Sequence, residues 1–187
     1  MASTSDLRKN LKILVDNEPY VIVEAQFVKP GKGTAFTKCK IKNLITGAVL
    51  ERTWRSGESV DLADTENRRM EYLYAEGEHF VFMDQETYDQ VHIEKEILGD
   101  DAQWLTDNLP VEVLFFNGRP VGVELPTFVE IQITHCEPGV RGDTATGASK
   151  PATLSTGAVV QVPLFVNEGE WLKIDTRTGE YVERVKK

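Results

Sequence analysis

Cysteine and histidine are scarce in this chain of 187 residues: Cys39 and Cys136 are the two cysteines, and His79, His92 and His135 the three histidines. Two distant cysteines make no disulfide scaffold, and neither a Cys-x-x-Cys pair nor a ligand-like His spacing is present, so no metal site is expected. His135, Cys136 and Glu137 are consecutive; on a strand they alternate between faces and cannot share one ion. Long apolar runs are also missing. The longest uncharged stretch, 151–167, is interrupted by Gln161 and Pro163 and falls short of a membrane span. The first residues, Met-Ala-Ser-Thr-Ser-Asp-Leu-Arg-Lys, hold no apolar export segment. These absences predict a soluble, cytoplasmic chain in a reducing compartment, without a membrane partner. No Gly-x-Ser-x-Gly elbow, dinucleotide Gly motif or phosphate-loop motif occurs; Gly31-Lys32-Gly33-Thr34 lacks the upstream glycine spacing of the last. Nothing in this inventory predicts an enzyme or a cofactor.

Positive charge is in deficit overall: 21 Lys and Arg stand against 30 Asp and Glu, a net charge of −9. A generic polyanion binder is therefore disfavoured unless the basic residues are segregated. They are unevenly spread. Residues 1–64 have a balance of +2, residues 65–126 of −10 and residues 127–187 of −1. With 41% hydrophobic and 27% charged residues, the composition is that of a globular protein and excludes collagen, coiled coil and disorder.

What is abundant is strand signal. Val, Ile, Thr, Phe and Tyr cluster over 20–23, 35–41, 70–74, 80–83, 111–116, 121–125, 129–133 and 158–162. Turn signals at Thr46-Gly47, Glu76-Gly77-Glu78, Asn117-Gly118 and Thr178-Gly179 separate them, Asn117-Gly118 being the strongest hairpin signal. One helix is predicted over 97–105, with Gly99-Asp100-Asp101 as cap chemistry and Ile97, Leu98, Trp104 and Leu105 as its apolar face. The pattern predicts an all-β chain of three small barrels, 1–64, 65–126 and 127–187, joined at polar or Pro-containing segments.

The sharpest local feature is Lys29-Pro30-Gly31-Lys32-Gly33 between two apolar runs. Pro30 fixes φ, and Gly31 and Gly33 clear the space around Lys32, which isolates one long cation on a hairpin tip. Beyond it, alternation places Lys38, Lys40 and Lys42 on one strand face and Ala35, Thr37, Cys39 and Ile41 on the other. Such a stripe suits phosphate contact, although alternating lysines are more commonly a merely solvated face. A plain turn with an exposed lysine accounts for the tip as readily as a functional one. The stretch 137–157 is long, rich in Gly, Ser and Thr, and poor in apolar residues; its Arg141 and Lys150 are further candidates for RNA-backbone contact, against the alternative of a flexible connector. Arg141-Gly142-Asp143 spells an adhesion tripeptide, for which chance is the better explanation in a chain without an export signal.

Several blocks together resemble bacterial elongation factor P: 12–28, the Lys29–Gly33 tip, Lys150-Pro151-Ala152-Thr153-Leu154-Ser155-Thr156-Gly157 with Val162-Pro163-Leu164-Phe165, and Asp175-Thr176-Arg177-Thr178-Gly179-Glu180-Tyr181. The resemblance implies an N-terminal SH3-like (KOW-like) barrel and two OB-type barrels in an L-shaped, tRNA-like arrangement. It implies a monomer that binds the 70S ribosome, its rRNA and proteins, between the peptidyl (P) and exit (E) sites and relieves stalling at consecutive prolines. Lys32 matches the family's tip lysine, which contacts peptidyl-tRNA and in many bacteria is extended by a lysine-modifying enzyme; Gly142, Asp143 and Thr144 match the loop that approaches the E-site mRNA codon. Three rivals remain at this stage. One is a single-stranded RNA binder, for which Trp54, Trp104 and Trp171 are scattered rather than clustered. Another is a hydrolase with paired carboxylates in the acidic segment. The third is the elongation factor P-like paralogue of the same architecture.

Overall fold

The computed structural model describes residues 1–139 and 148–187. The chain divides into two compact units, one of Met1–Asn67 with Leu114–Gly122, the other of Arg68–Val113 with Val123–Lys187. Both are built almost wholly of strands, as the sequence pattern predicts.

In the first unit, β1 (Ala2–Ser3), β2 (Lys12–Val15), β3 (Glu18–Val28), β4 (Phe36–Asn43), β5 (Val49–Arg55) and β6 (Ser59–Leu62) form one sheet in the order β1-β6-β2-β3-β4-β5. β2 and β3 close tightly, Val15 opposite Glu18, across Asp16 and Asn17. Both residues have positive φ, 53° and 65°, as a two-residue turn matched to the strand twist requires. The core is the inward face of these strands: Ile13, Val15, Tyr20, Ile22, Cys39, Ile41, Trp54 and Val60, with Leu7. In β4 the alternation is clean. Thr37, Cys39, Ile41 and Asn43 are buried, and Lys38, Lys40 and Lys42 are exposed. Burial of each apolar side chain contributes on the order of 1.5–3 kcal/mol, which pins the register, since a one-residue slip would bury three lysines.

A second sheet follows the order β11-β10-β7-β8-β9, from β7 (Thr65–Glu76), β8 (His79–Asp84), β9 (Gln90–Glu94), β10 (Pro110–Phe116) and β11 (Arg119–Glu124). The Asn117-Gly118 signal is the turn between β10 and β11, with φ of 51° and 77°. Met70, Tyr72, Val81, Phe82, Ile93, Val111, Val113, Phe115 and Val121 are among its buried side chains. A third sheet, β14-β13-β12-β15-β16, comprises β12 (Phe128–Cys136), β13 (Ser149–Leu154), β14 (Val159–Pro163), β15 (Trp171–Asp175) and β16 (Glu180–Val185). Its core holds Val129, Ile131, Ile133, Leu154, Val162, Leu172 and Ile174, and Trp104 packs into it.

The helix differs from expectation. Instead of one helix over 97–105, α1 spans Lys95–Leu98 and a 3-10 segment spans Gly99–Trp104. Gly99, at φ 56°, ends α1 and donates its N–H to the Lys95 carbonyl. Gly-Asp-Asp thus ends α1 and opens the 3-10 segment, because the positive φ that glycine permits breaks the α-helical path. The apolar residues behave as expected: Leu98, Trp104 and Leu105 are buried.

Candidate nucleic-acid interface

Residues 29–35 connect β3 to β4, and the last strand pair below them is Val28 with Phe36. Lys29 and Lys32 are exposed and Pro30 is half-buried. A Cβ placed on Gly31 or Gly33 would meet nothing within 4 Å, so the space around the Lys32 side chain is open on both sides. Gly33 has a φ of 102°, which bulkier residues rarely adopt. The base of the loop is fixed where Ser56 N–H donates to the Ala35 carbonyl at 2.9 Å. β5 accompanies β4 as far as the Phe36–Arg55 pair, so one side of the hairpin is buttressed to its end.

One irregularity sets which side chains face which way. Between Ile22 and Glu24 the register with β4 shifts, leaving Val23 as an extra residue. A bulge of this kind reverses the alternation of everything beyond it. Past Val23, Ala25 pairs with Cys39 and Phe27 with Thr37, while Glu24 pairs with Lys40 and Gln26 with Lys38. Phe27 is 64% exposed near the end of the strand.

The register also corrects the picture of a continuous basic stripe. Lys40 lies opposite Glu24 on one side and Glu51 on the other, and Lys38 Nζ pairs with a Glu51 carboxylate oxygen at 3.2 Å. Three ammonium groups therefore share their face with two carboxylates; Lys42 lies between Val21 and Val49, and Lys29 and Lys32 stand on the loop beyond the paired carboxylates. An exposed pair of this sort contributes about 0–1 kcal/mol to stability.

Lys150 is placed differently from a phosphate-contacting cation. It is buried, with 6% exposure, and its Nζ donates to the Glu137 carbonyl at 2.7 Å. The ammonium is held by the backbone of its own chain, which ties β13 to the segment after β12. Arg141, Gly142, Asp143 and Thr144 lie outside the described residues. Next to them, His135 and Glu137 point to one side of β12, 3.5 Å apart. His135 Nδ1 lies 3.0 Å from Glu168, which also accepts the Cys136 N–H at 3.1 Å. Among the described residues, no three His, Cys, Asp or Glu side chains are grouped to hold a metal ion. In the acidic segment, burial and then the neighbouring Asp100 push the Asp101 carboxyl up. Neither residue lines either of two clefts of its unit, one around Arg69, Glu112 and Glu124 and one around Tyr72, Asp107 and Trp171. No described helix is long and apolar enough to cross a membrane.

Three family models match successive parts of the chain: the elongation factor P KOW-like domain over residues 3–60, the elongation factor P OB domain over 65–123, and the elongation factor P C-terminal domain over 129–184. The chain is 53% identical over 187 residues to elongation factor P of Desulfatibacillum aliphaticivorans, covering all of both chains. It is 56% identical over 185 residues to that of Coprothermobacter proteolyticus, covering 99% of this chain and all of the relative. Among solved structures, one titled eukaryotic translation initiation factor 5A, from Methanococcus jannaschii, matches with a TM-score of 0.54 at 20% identity. It covers 67% of this chain and 90% of that one, a likeness of fold.

Proposed function

Because the chain belongs to the elongation factor P family, translation elongation factors that act with the ribosome, we propose that it binds the 70S ribosome between the P and E sites and speeds peptide-bond formation where consecutive prolines stall synthesis. The observation that carries this reading is the tip itself. An exposed ammonium stands on a loop whose flanking glycines leave its surroundings open, at the end of a strand pair braced on one side. A compact point charge on a flexible stem suits a phosphate or ribose oxygen of the tRNA acceptor end. Lys29 adds a second cation beside it, and Lys38, Lys40 and Lys42 supply weaker backbone contacts, moderated by Glu24 and Glu51.

The proposed mechanism is positional. The ribosome makes the bond, and Lys32 holds the acceptor end of peptidyl-tRNA near a reactive geometry. Orientation contributes up to several kcal/mol to a barrier, and about 1.4 kcal/mol is already tenfold in rate. The open space around the tip would admit a covalent extension of Lys32 Nζ by a lysine-modifying enzyme, which would lengthen its reach; no other cofactor is invoked. Gly142, Asp143 and Thr144, with Arg141, are assigned by resemblance to the loop near the E-site codon. Lys32→Ala is expected to keep the fold and lose rescue of a Pro-Pro-Pro reporter in a strain lacking its own factor. Normal reporter synthesis with that variant would refute the proposal, and intact-mass measurement of the protein from its native host reads any adduct on Lys32.

A further inference from the structure

We infer that Phe27 is a stacking platform for an unpaired nucleobase at the 3′ end of the P-site tRNA, so that one face of the hairpin holds a base while the tip amine holds the backbone. The inference rests on the reading above and assigns a second contact to the same site.

Four observations carry it. First, Phe27 is 64% exposed although it sits within a paired strand. Second, it is uncovered. Three other aromatic rings carry a cation of their own chain over the ring: Phe128 under Lys173 at 4.7 Å, Phe165 under Arg184 at 4.7 Å and Trp171 under Lys187 at 5.0 Å. Among the described residues, Phe27 has no such cation and no ring partner. Third, the extra residue at Val23 turns Phe27 onto the face of Ala25, Cys39 and Thr37, away from Gln26, Lys38 and Lys40. Its paired neighbour Thr37 and its same-strand neighbour Ala25 are small, and Trp54, next across the sheet beyond Thr37, is buried in the core. Fourth, the ring lies two residues below the loop that bears Lys29 and Lys32, about 7 Å along the strand.

An exposed ring flanked by cations is the arrangement that holds single-stranded nucleic acid, because every base has a π-face and every nucleotide a phosphate. The charge selects RNA over an apolar protein surface: the two lysines above the ring have no carboxylate paired with them among the described residues, unlike Lys38 beside Glu51. The acceptor end of a tRNA is single-stranded, which makes its bases available for stacking in a way that duplex bases are not.

The test uses the full chain on 70S ribosomes carrying peptidyl-prolyl-tRNA in the P site. Phe27→Tyr and Phe27→Trp keep a π-face; Phe27→Leu keeps apolar bulk without one. The aromatic variants are expected to stimulate Pro–Pro bond formation within about twofold of the parent. Phe27→Leu is expected to need about tenfold more protein for half-maximal stimulation, with an unchanged melting curve. A photoactivatable phenylalanine at position 27 is expected to label the terminal nucleotides of the tRNA. Parental behaviour of Phe27→Leu overturns the inference, and so does labelling of rRNA or a ribosomal protein in place of the tRNA. The two proposals fail separately. If Lys32→Ala abolishes stimulation while Phe27→Leu does not, stacking alone is lost; if Lys32→Ala is active, the functional reading falls.

Discussion

Replacing Gly33 with alanine, beside the same change at Gly31, isolates the backbone that presents Lys32. Neither substitution creates a clash, since an added Cβ meets nothing within 4 Å at either position. Gly33, however, has a φ of 102°, whereas Gly31 is not in the positive-φ region. An L-residue forced to such a φ costs on the order of 1–3 kcal/mol. At Gly31 alanine is neutral or stabilises by about 0.4–1 kcal/mol through the unfolded chain. Taking about 2 kcal/mol for Gly33→Ala, opening of the hairpin becomes roughly 30-fold easier, at 1.36 kcal/mol per decade. The assay is native-state hydrogen exchange on the paired amides of 24–28 and 36–40, where local opening is read directly. Gly33→Ala should speed these amides about 30-fold and leave the cores of the second and third sheets unchanged, and Gly31→Ala should slow them slightly or not change them. Equal exchange in both variants would refute the reasoning, because their difference depends on φ alone.

Three other outcomes follow from the geometry. Gly179→Ala should destabilise the protein by about 2–3 kcal/mol, read as a lower urea midpoint, because Gly179 has a φ of 75° and an added Cβ would lie 3.2 Å from the Trp104 ring; an unchanged midpoint contradicts it. Asp84 is buried and accepts the N–H groups of Glu86 at 2.8 Å and Thr87 at 3.1 Å, which holds its carboxyl below the usual carboxylate range. Its contribution is present above the unfolded-state pKa of about 4 and is lost as pH falls through the lower folded value. Asp84→Asn should therefore lower the melting temperature at pH 7 and do so much less near about pH 2, and an equal loss at both would be contrary. Glu51→Gln releases Lys38. It should change stability by less than about 1 kcal/mol and tighten ribosome binding a few-fold at low salt, with the gain vanishing at high salt; weaker binding would show that the lysine face points away from RNA.

Local chemistry was legible in the sequence and cross-strand geometry was not. The tip could be read because Pro30, Gly31 and Gly33 act on the backbone around them, and the burial of Thr37, Cys39 and Ile41 followed from alternation within one strand. The positions of Glu24 and Glu51 beside Lys40 depend on which residues lie opposite in two other strands, which no local pattern encodes. The shift at Val23 leaves no mark in the residue types, so Phe27 reads as ordinary strand hydrophobicity until its face is known. Lys150 carries the signature of an exposed cation, and only the fold reveals the Glu137 carbonyl that takes its proton donors. Gly99 was visible as punctuation, but whether it opens or closes a helix is decided by its φ of 56°.

The most direct measurement is the single-turnover rate of Pro–Pro bond formation on purified ribosomes with Lys32→Ala at saturating concentration. If Lys32 acts by orienting the acceptor end, the variant occupies the ribosome with nearly parental affinity while the saturated rate falls about tenfold or more. An unchanged saturated rate, with only a higher concentration needed to reach it, would make Lys32 a docking contact and contradict the positional mechanism.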